Sequence, residues 1–220
     1  MANPRAPRNT LTHEKLVAAA LQLVDEDGIG AFTIRELASR LQVRPMSIYH
    51  HASSKDALLD YLVDAVFSEV YLPEVHGHWR EELTHRSRSM RETLARHRWA
   101  LAVMETRAHP GPATLTNHEA VLDVLRTSGF SLEATAHAYA ILDAFVYGFA
   151  LQEAMLETAG LPMDSARVMR GMDLRGFPRV AEMAADYATA DAYPLTDTFD
   201  VGLEIVMDGI QQFTSAAPAS

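Results

Sequence analysis

The residues best placed to do chemistry lie between Arg35 and Lys55. Arg35, Arg44, Ser47, Tyr49, His50, His51 and Lys55 offer hydrogen-bond donors and positive charge within about twenty positions. Arginine can give two parallel bonds to a guanine edge or one to a phosphate, so Arg35 and Arg44 suit nucleic acid. Met46 and Ser47 fall at the front of a short helix, where side chains meet base edges. Tyr49 suits a thymine methyl or a phosphate. The spacing around them supplies the scaffold. Thr33 and Glu36 make a T-x-x-E capping box, Leu37, Ala38 and Leu41 mark one apolar face, and Pro45 fits the first turn of a second helix. Ile48 is the expected buried residue of that helix. Two short helices joined by a tight turn form a helix-turn-helix, and its groove partner is double-stranded DNA.

The stretch TIRELASRLQVRPMSIYHHASSK with its continuation DALLDYL resembles the DNA-binding domain of the tetracycline-repressor (TetR) family of bacterial regulators. Thr33, Arg35, Leu37, Ala38, Leu41, Val43, Tyr49, His51, Lys55 and Leu58 match the family pattern. The resemblance implies base contact by Arg35 and phosphate contact by His51 and Lys55, with Thr33 assisting. His50 stands where that repressor has a tryptophan. Two further departures stand out: Gln42 replaces a common glycine, which implies a strained turn, and Ala52 replaces a larger apolar residue.

Other chemistry is poorly supported. With no cysteine, disulfides, zinc-thiolate sites and thiol nucleophiles are excluded. Ten histidines invite a metal hypothesis. His76-x-His78 and Glu82-x-x-His85 have ligand spacing, but a di-iron bundle needs a second Glu-x-x-His copy and two further glutamates. His109 and His118 lie near breakers. No phosphate loop, nucleophile elbow or dinucleotide fingerprint occurs. The expectation is no enzyme, no metal and no cofactor.

Charge is unevenly spread. The net is −10, yet residues 1–55 hold seven Lys/Arg against five Asp/Glu, so the basic excess sits at the motif end. The first ten residues have no apolar core and do not form a signal peptide, which points to a cytoplasmic protein. Arg5 and Arg8 lie on an arm, Met1–Asn9, that suits either a minor groove or plain solvent.

The positioning elements are all expected to be helices. Thr12 caps a first helix with Leu16, Ala20, Leu23 and Val24 inward, completing a three-helix domain over residues 1–55. Ser53 or Ser54 caps a fourth helix to about Tyr71, with Leu58, Leu59, Leu62, Val63, Val66 and Val70 apolar. Residues 56–220 then form a larger helical domain: Arg80–His97 with Leu83, Met90 and Leu94 on one side, Trp99–Ala108, a breaker at His109–Pro112, Asn117–Thr127, the long apolar Leu132–Glu157, and Arg179–Ala190. The final stripe is Phe199, Leu203, Val206, Met207, Ile210 and Phe213, with Gly202 allowing close helix approach. Met163–Pro178 is irregular in pattern. A membrane span is the competing reading of Leu132–Glu157; Asp143 in its middle and the absence of basic flanks argue against it.

The resemblance covers most of the chain. GFSLEATAHAYAILDAFVYGFALQE and FDVGLEIVMDGIQQF are similar to the two helices with which the tetracycline-repressor subfamily builds its dimer interface, which implies a homodimer with Val206 and Ile210 near the seam. It also implies an effector cavity in the second domain, for which Met90, Trp99, Met104, Tyr139, Phe145, Tyr147, Phe149 and Met155 are the candidate lining; plain core packing is the alternative for each. Aligned with that subfamily, Met104 stands at the metal-ligating histidine and Gln152 at a metal-reaching glutamate. A thioether is a soft ligand and magnesium takes hard oxygen donors, so the effector implied is a small apolar or aromatic molecule and not a magnesium–tetracycline chelate. The sequence thus points to an all-α, homodimeric, ligand-responsive repressor. A helical ligand-binding protein or enzyme with a vestigial helix-turn-helix is the alternative.

Overall fold

The computed structural model describes residues 11–104, 106–107, 109–158, 173–187 and 195–215. The Met1–Asn9 arm, the C-terminal tail from 216 and most of the 163–178 stretch lie outside them. Among the described residues the regular structure is helical throughout: α1 (His13–Asp27), a 3₁₀ turn (Ile29–Ala31), α2 (Ile34–Arg40), α3 (Pro45–Ile48), α4 (Lys55–Ser68), α5 (Trp79–Arg96), α6 (Trp99–Met104), α7 (Pro112–Thr127), α8 (Leu132–Thr158), α9 (Pro178–Tyr187) and α10 (Leu195–Ser215). Packing divides the chain into two compact units, Met1–Glu69 with Arg96–Thr116, and Val70–Ala95 with Asn117–Ser220.

The first unit is nucleated by local signals. Thr12, Thr33 and Ser54 each sit at an N-cap and accept from the backbone N–H three residues on, at 3.3, 3.1 and 3.0 Å. The reciprocal bond of the capping box, from the Glu36 side chain, is not made among the described residues. Leu16, Ala20, Leu23 and Val24 of α1 meet Phe32, Leu37, Ile48 and Leu58 in one core, each of them almost fully buried. Helix α4 packs on α1, so the unit extends past residue 55 to Glu69. Helix α4 itself ends at Ser68, three residues before Tyr71.

Helix α7 starts five residues earlier than expected, at Pro112. The last residue of the breaker His109–Pro112 in fact opens the helix, because Asp64 of α4 caps it: the Asp64 carboxylate accepts from the Ala113 and Thr114 N–H groups at 3.2 and 2.8 Å and from the Thr114 hydroxyl at 3.0 Å. A carboxylate at the positive end of a helix is stabilising, and Pro at the first position loses no bond. Gly111 leaves that cap undisturbed, since a Cβ would lie 2.3 Å from Asp64 Cγ and push the carboxylate aside.

In the second unit α8 and α10 pack together. Phe199, Leu203, Met207 and Ile210 of α10 are buried, and Phe199 stacks with Phe145 at 5.4 Å and meets Phe149 edge-on at 5.2 Å. Gly202 does allow the close approach: a side chain there would meet the Phe145 ring at 2.8 Å. The stripe divides by role, however. Ile210 is enclosed by its own chain, Val206 is half-buried, and the large apolar side chains exposed on α10 among the described residues are Val201 and Ile205. Helix α8 is long and apolar enough to cross a bilayer, but its Asp143 is held in a protein interior by Arg86.

The turn between α2 and α3 carries the strain that its sequence implies. Gln42 has φ 54°, the one positive φ outside glycine among the described residues. For an L-residue that conformation costs about 1–2 kcal/mol. Gln42→Gly is therefore expected to stabilise the chain by about 0.5–1 kcal/mol, after allowing for glycine's extra unfolded-state entropy. Val at this position should destabilise it. Thermal melts followed by circular dichroism check both; an unchanged or lowered midpoint for the glycine variant contradicts a strained turn.

Candidate nucleic-acid interface and effector core

Helix α3 is a single turn followed by hydrogen-bonded turns at 49–51, with Pro45 first and Arg44 as its N-cap. Ile48 and Ala52 are buried beneath it. That anchoring leaves Arg44, Met46, Tyr49 and His50 exposed, Met46 by 67%, and Ser47 and His51 half-buried. Arg35 on α2 and Lys55 at the start of α4 are exposed as well. The Thr33 hydroxyl already accepts from Glu36 N–H, which leaves its proton free to donate.

The basic residues of this unit have different employment. Arg40 is tied down, with Nη1 on Glu26 at 2.6 Å and Nη2 on Asp27 at 2.5 Å, joining α2 to the end of α1. Arg107 is committed to Asp56 and Asp60 at 3.3 and 3.6 Å. Among the described residues Arg35, Arg44 and Lys55 make no ion pair; Lys55 lies 5.4 Å from the Phe32 ring centre. Three unneutralised cations and a row of exposed polar side chains surround the one-turn helix, which is the electrostatic footprint a phosphate backbone requires.

The same unit holds a polar cluster that sequence reasoning did not pick out. His97, almost wholly buried, sets Nδ1 against Asp25 at 2.8 Å and Nε2 against Glu69 at 3.1 Å. The Trp99 indole N–H donates to the same Asp25 oxygen at 2.7 Å, and Arg96 donates to Glu69 at 2.8 Å. Burial raises the Glu69 pKa, but the bonds from Arg96 and His97 outweigh it and hold the carboxyl below its ordinary value. The two carboxylates take opposite edges of the imidazole, so they do not converge on a metal position. Among the described residues no group of three such side chains does. The cluster ties α6 to α1 and α4. Glu82, a metal candidate by spacing, accepts from Tyr71 Oη at 2.8 Å and Glu74 N–H at 2.9 Å.

The eight candidate effector residues are distributed between both units. Trp99 and Met104 belong to the first; Met90, Tyr139, Phe145, Tyr147, Phe149 and Met155 belong to the second. Met90 is fully buried, Phe145 and Phe149 pack on Phe199, and Met155 is 64% exposed. The Arg91 guanidinium lies over the Phe149 and Phe199 rings at 5.3 and 4.6 Å and pairs with Glu153. Tyr139 and Tyr147 are half-buried and gather at Asp143, where Tyr147 Oη donates to Oδ2 at 3.3 Å.

Arg86, opposite them, was missed. It is 0% exposed; Nη1 bonds Asp143 and Nε donates to Asn117 Oδ1 at 3.1 Å. Burial opposes its charge, yet the Asp143 carboxylate more than compensates and raises its pKa. A signal existed: Arg86 falls within the Leu83–Met90–Leu94 stripe, where a cation needs a buried anion, and Asp143 is the one acid inside α8's apolar run. Removing one partner of such a pair costs about 3–5 kcal/mol because the other charge is stranded, whereas replacing both is often neutral. Asp143→Leu is thus expected to lower stability by about that amount in denaturant titration. The Arg86→Met/Asp143→Leu double variant should recover most of the loss; additive losses contradict the pairing.

Comparison with known proteins agrees with this arrangement. Residues 16–62 match the family model for bacterial regulatory proteins of the tetR family, and residues 72–214 match that for the tetracyclin repressor-like C-terminal domain. An HTH-type transcriptional regulator of Saccharopolyspora erythraea is 40% identical over 63% of this chain and 59% of its own length. The class A tetracycline repressor from transposon 1721 of Escherichia coli is 32% identical over 89% of this chain and 88% of that protein. The crystal structure of the Streptomyces coelicolor TetR family protein ActR in complex with actinorhodin superposes with a TM-score of 0.77 at 29% identity, covering 92% of this chain and 96% of that one. With both halves of the chain matched and the helix-turn-helix in place, the protein belongs to the TetR family of DNA-binding transcriptional regulators.

Proposed function

We propose that the chain is a cytoplasmic, non-enzymatic repressor in which residues 1–55 read DNA and residues 56–220 dimerise and bind an uncharged, largely apolar or aromatic effector. The observation that carries the DNA half is the contrast within one small unit between Arg40, committed to Glu26 and Asp27, and Arg35, Arg44 and Lys55, which have no counter-ion among the described residues. Arg35 is assigned to a base edge; Lys55 and His51 to phosphates, with Thr33 donating to one; Arg44, Met46, Ser47, Tyr49 and His50 to the groove around α3. A dimer places two such units on a palindrome whose half-sites lie one helical turn apart, about 34–36 Å. Effector binding then favours a state whose spacing no longer fits, with a coupling of about 1–3 kcal/mol. ActR, crystallised with actinorhodin, is a family member with a bound small molecule.

The dimer reading is supported by apolar side chains left open on two helices that pack together in the second unit: Ile141, Leu151 and Met155 of α8, Val201 and Ile205 of α10. Ile205→Glu is expected to give monomers in light scattering with weakened operator binding. Ile210→Glu should instead unfold the unit. A persistent dimer in the Ile205 variant would place the interface elsewhere.

For DNA, Arg35→Ala should cost about 1–3 kcal/mol on the chain's own upstream DNA and relax preference at one base pair of each half-site. Lys55→Ala should weaken all sequences alike and lower the salt slope by about one. Fluorescence anisotropy over a salt series measures both, and equal losses on every sequence would remove the base-reading role of Arg35.

The effector half turns on Met104 and Gln152, since neither supplies a hard anionic ligand for magnesium. Titration calorimetry with tetracycline plus magnesium should show no heat. Micromolar, magnesium-dependent binding would refute the uncharged-effector reading.

A further inference from the structure

Arg86 is wholly buried, yet part of its donor capacity is unused. Nε and Nη1 are satisfied by Asn117 and Asp143, while Nη2 is buried with no acceptor among the described residues. Buried polar groups in folded proteins are almost always bonded, and an unmade bond to a charged donor is among the costlier exceptions. A second buried polar atom with no partner among the described residues, Thr135 Oγ1, lies on α8. Thr135, Tyr139, Asp143 and Tyr147 recur every fourth residue and so form one polar line along that helix. The unit therefore contains a polar seam along the otherwise apolar α8, with donors to spare.

The charge balance of the seam restricts what it can take. Arg86 is matched by Asp143. Burial and the Asp143 charge push the Tyr139 and Tyr147 phenols above their ordinary range, so both remain neutral. Burial lowers the pKa of His118, which sits edge-on to the Tyr139 ring at 5.4 Å, and keeps its imidazole neutral at pH 7. A carboxylate entering here would set a second negative charge beside Asp143 with little water to screen it. A cation would face the guanidinium. A pure hydrocarbon would leave Nη2 unmade.

We propose that this seam is the polar end of the effector site, and that Arg86 Nη2 takes a neutral acceptor oxygen, a ring carbonyl, on an otherwise apolar or aromatic molecule. The inference rests on the reading of the C-terminal region as effector-binding and deepens it by naming the group that is recognised. Tyr139, Tyr147 and His118 are the half-buried side chains at Asp143 and Arg86 that would have to turn aside for it. Their rings supply flat apolar surface for the rest of the molecule.

The test uses three probes of one shape, 1-tetralone, tetralin and 1,2,3,4-tetrahydro-1-naphthoate, with affinities measured by ligand-observed NMR on the full chain without DNA. The wild type is expected to bind the ketone at least tenfold more tightly than the hydrocarbon, although the hydrocarbon is the less soluble in water, and the acid should not compete. In Arg86→Met/Asp143→Leu, with folding verified by its melting transition, the order should reverse. Equal affinity for ketone and hydrocarbon in the wild type, the result if Nη2 merely holds a water, overturns the proposal. So does preference for the acid, or no binding of the ketone. The wild-type comparison decides the matter even where the double variant does not fold. Because no DNA is present, failure here leaves operator binding untouched. Absence of operator binding with the ketone preference intact would instead remove the repressor reading and keep the site.

Discussion

A carboxylate in the middle of a long apolar helix needs a counter-charge, and much of the second unit is arranged around supplying it. Asp143 of α8 is met by Arg86 of α5; Asn117 of α7 accepts from the same guanidinium, and Tyr147 donates to the other carboxylate oxygen. Three helices are thereby held in one register by directional bonds. Apolar contacts alone would leave that register loosely specified, since leucine and phenylalanine pack adequately in many offsets. The aromatic cluster of Phe145, Phe149 and Phe199, with Gly202 beneath Phe145, fastens α10 to the same helix.

The first unit solves a different problem. It holds a one-turn helix firmly while Arg35, Arg44 and Lys55 make no ion pair among the described residues. Thr33 and Ser54 cap the flanking helices, Ile48 and Ala52 anchor α3 from below, and Arg40 locks α2 to α1. The rigidity comes from groups that face inward or sideways. The outward ones, Arg35, Arg44 and Lys55, stay exposed. The His97 cluster adds a second brace, binding the end of α1, the end of α4 and the start of α6 through two carboxylates.

What was legible in the sequence follows from how local each cause is. Caps at Thr12, Thr33 and Ser54, the proline at the start of α3 and the inward stripes of α1, α4 and α10 all depend on residues within a turn or two, and each is found in place. The strain at Gln42 was also legible, because a residue stands where the turn wants glycine. The start of α7 was not, since its cap, Asp64, comes from another helix. Arg86 and His97 were missed for the same reason: their partners lie far along the chain, and an apolar-stripe reading passes over the one charged residue inside the stripe. The stripe of α10 could not tell its own core from an open face, so Ile210 was expected near a seam that the exposed Ile205 and Val201 suit better.

On the proposed function this chain is a symmetric reader of DNA whose grip depends on two copies engaging together. Nuclease footprinting on the DNA upstream of its own gene tests that claim most directly. The expected result is one protected region with two-fold sequence symmetry, its half-site centres about one helical turn apart, appearing at a single protein concentration for both halves. Protection of an asymmetric or single half-site, or none at low salt, would contradict it.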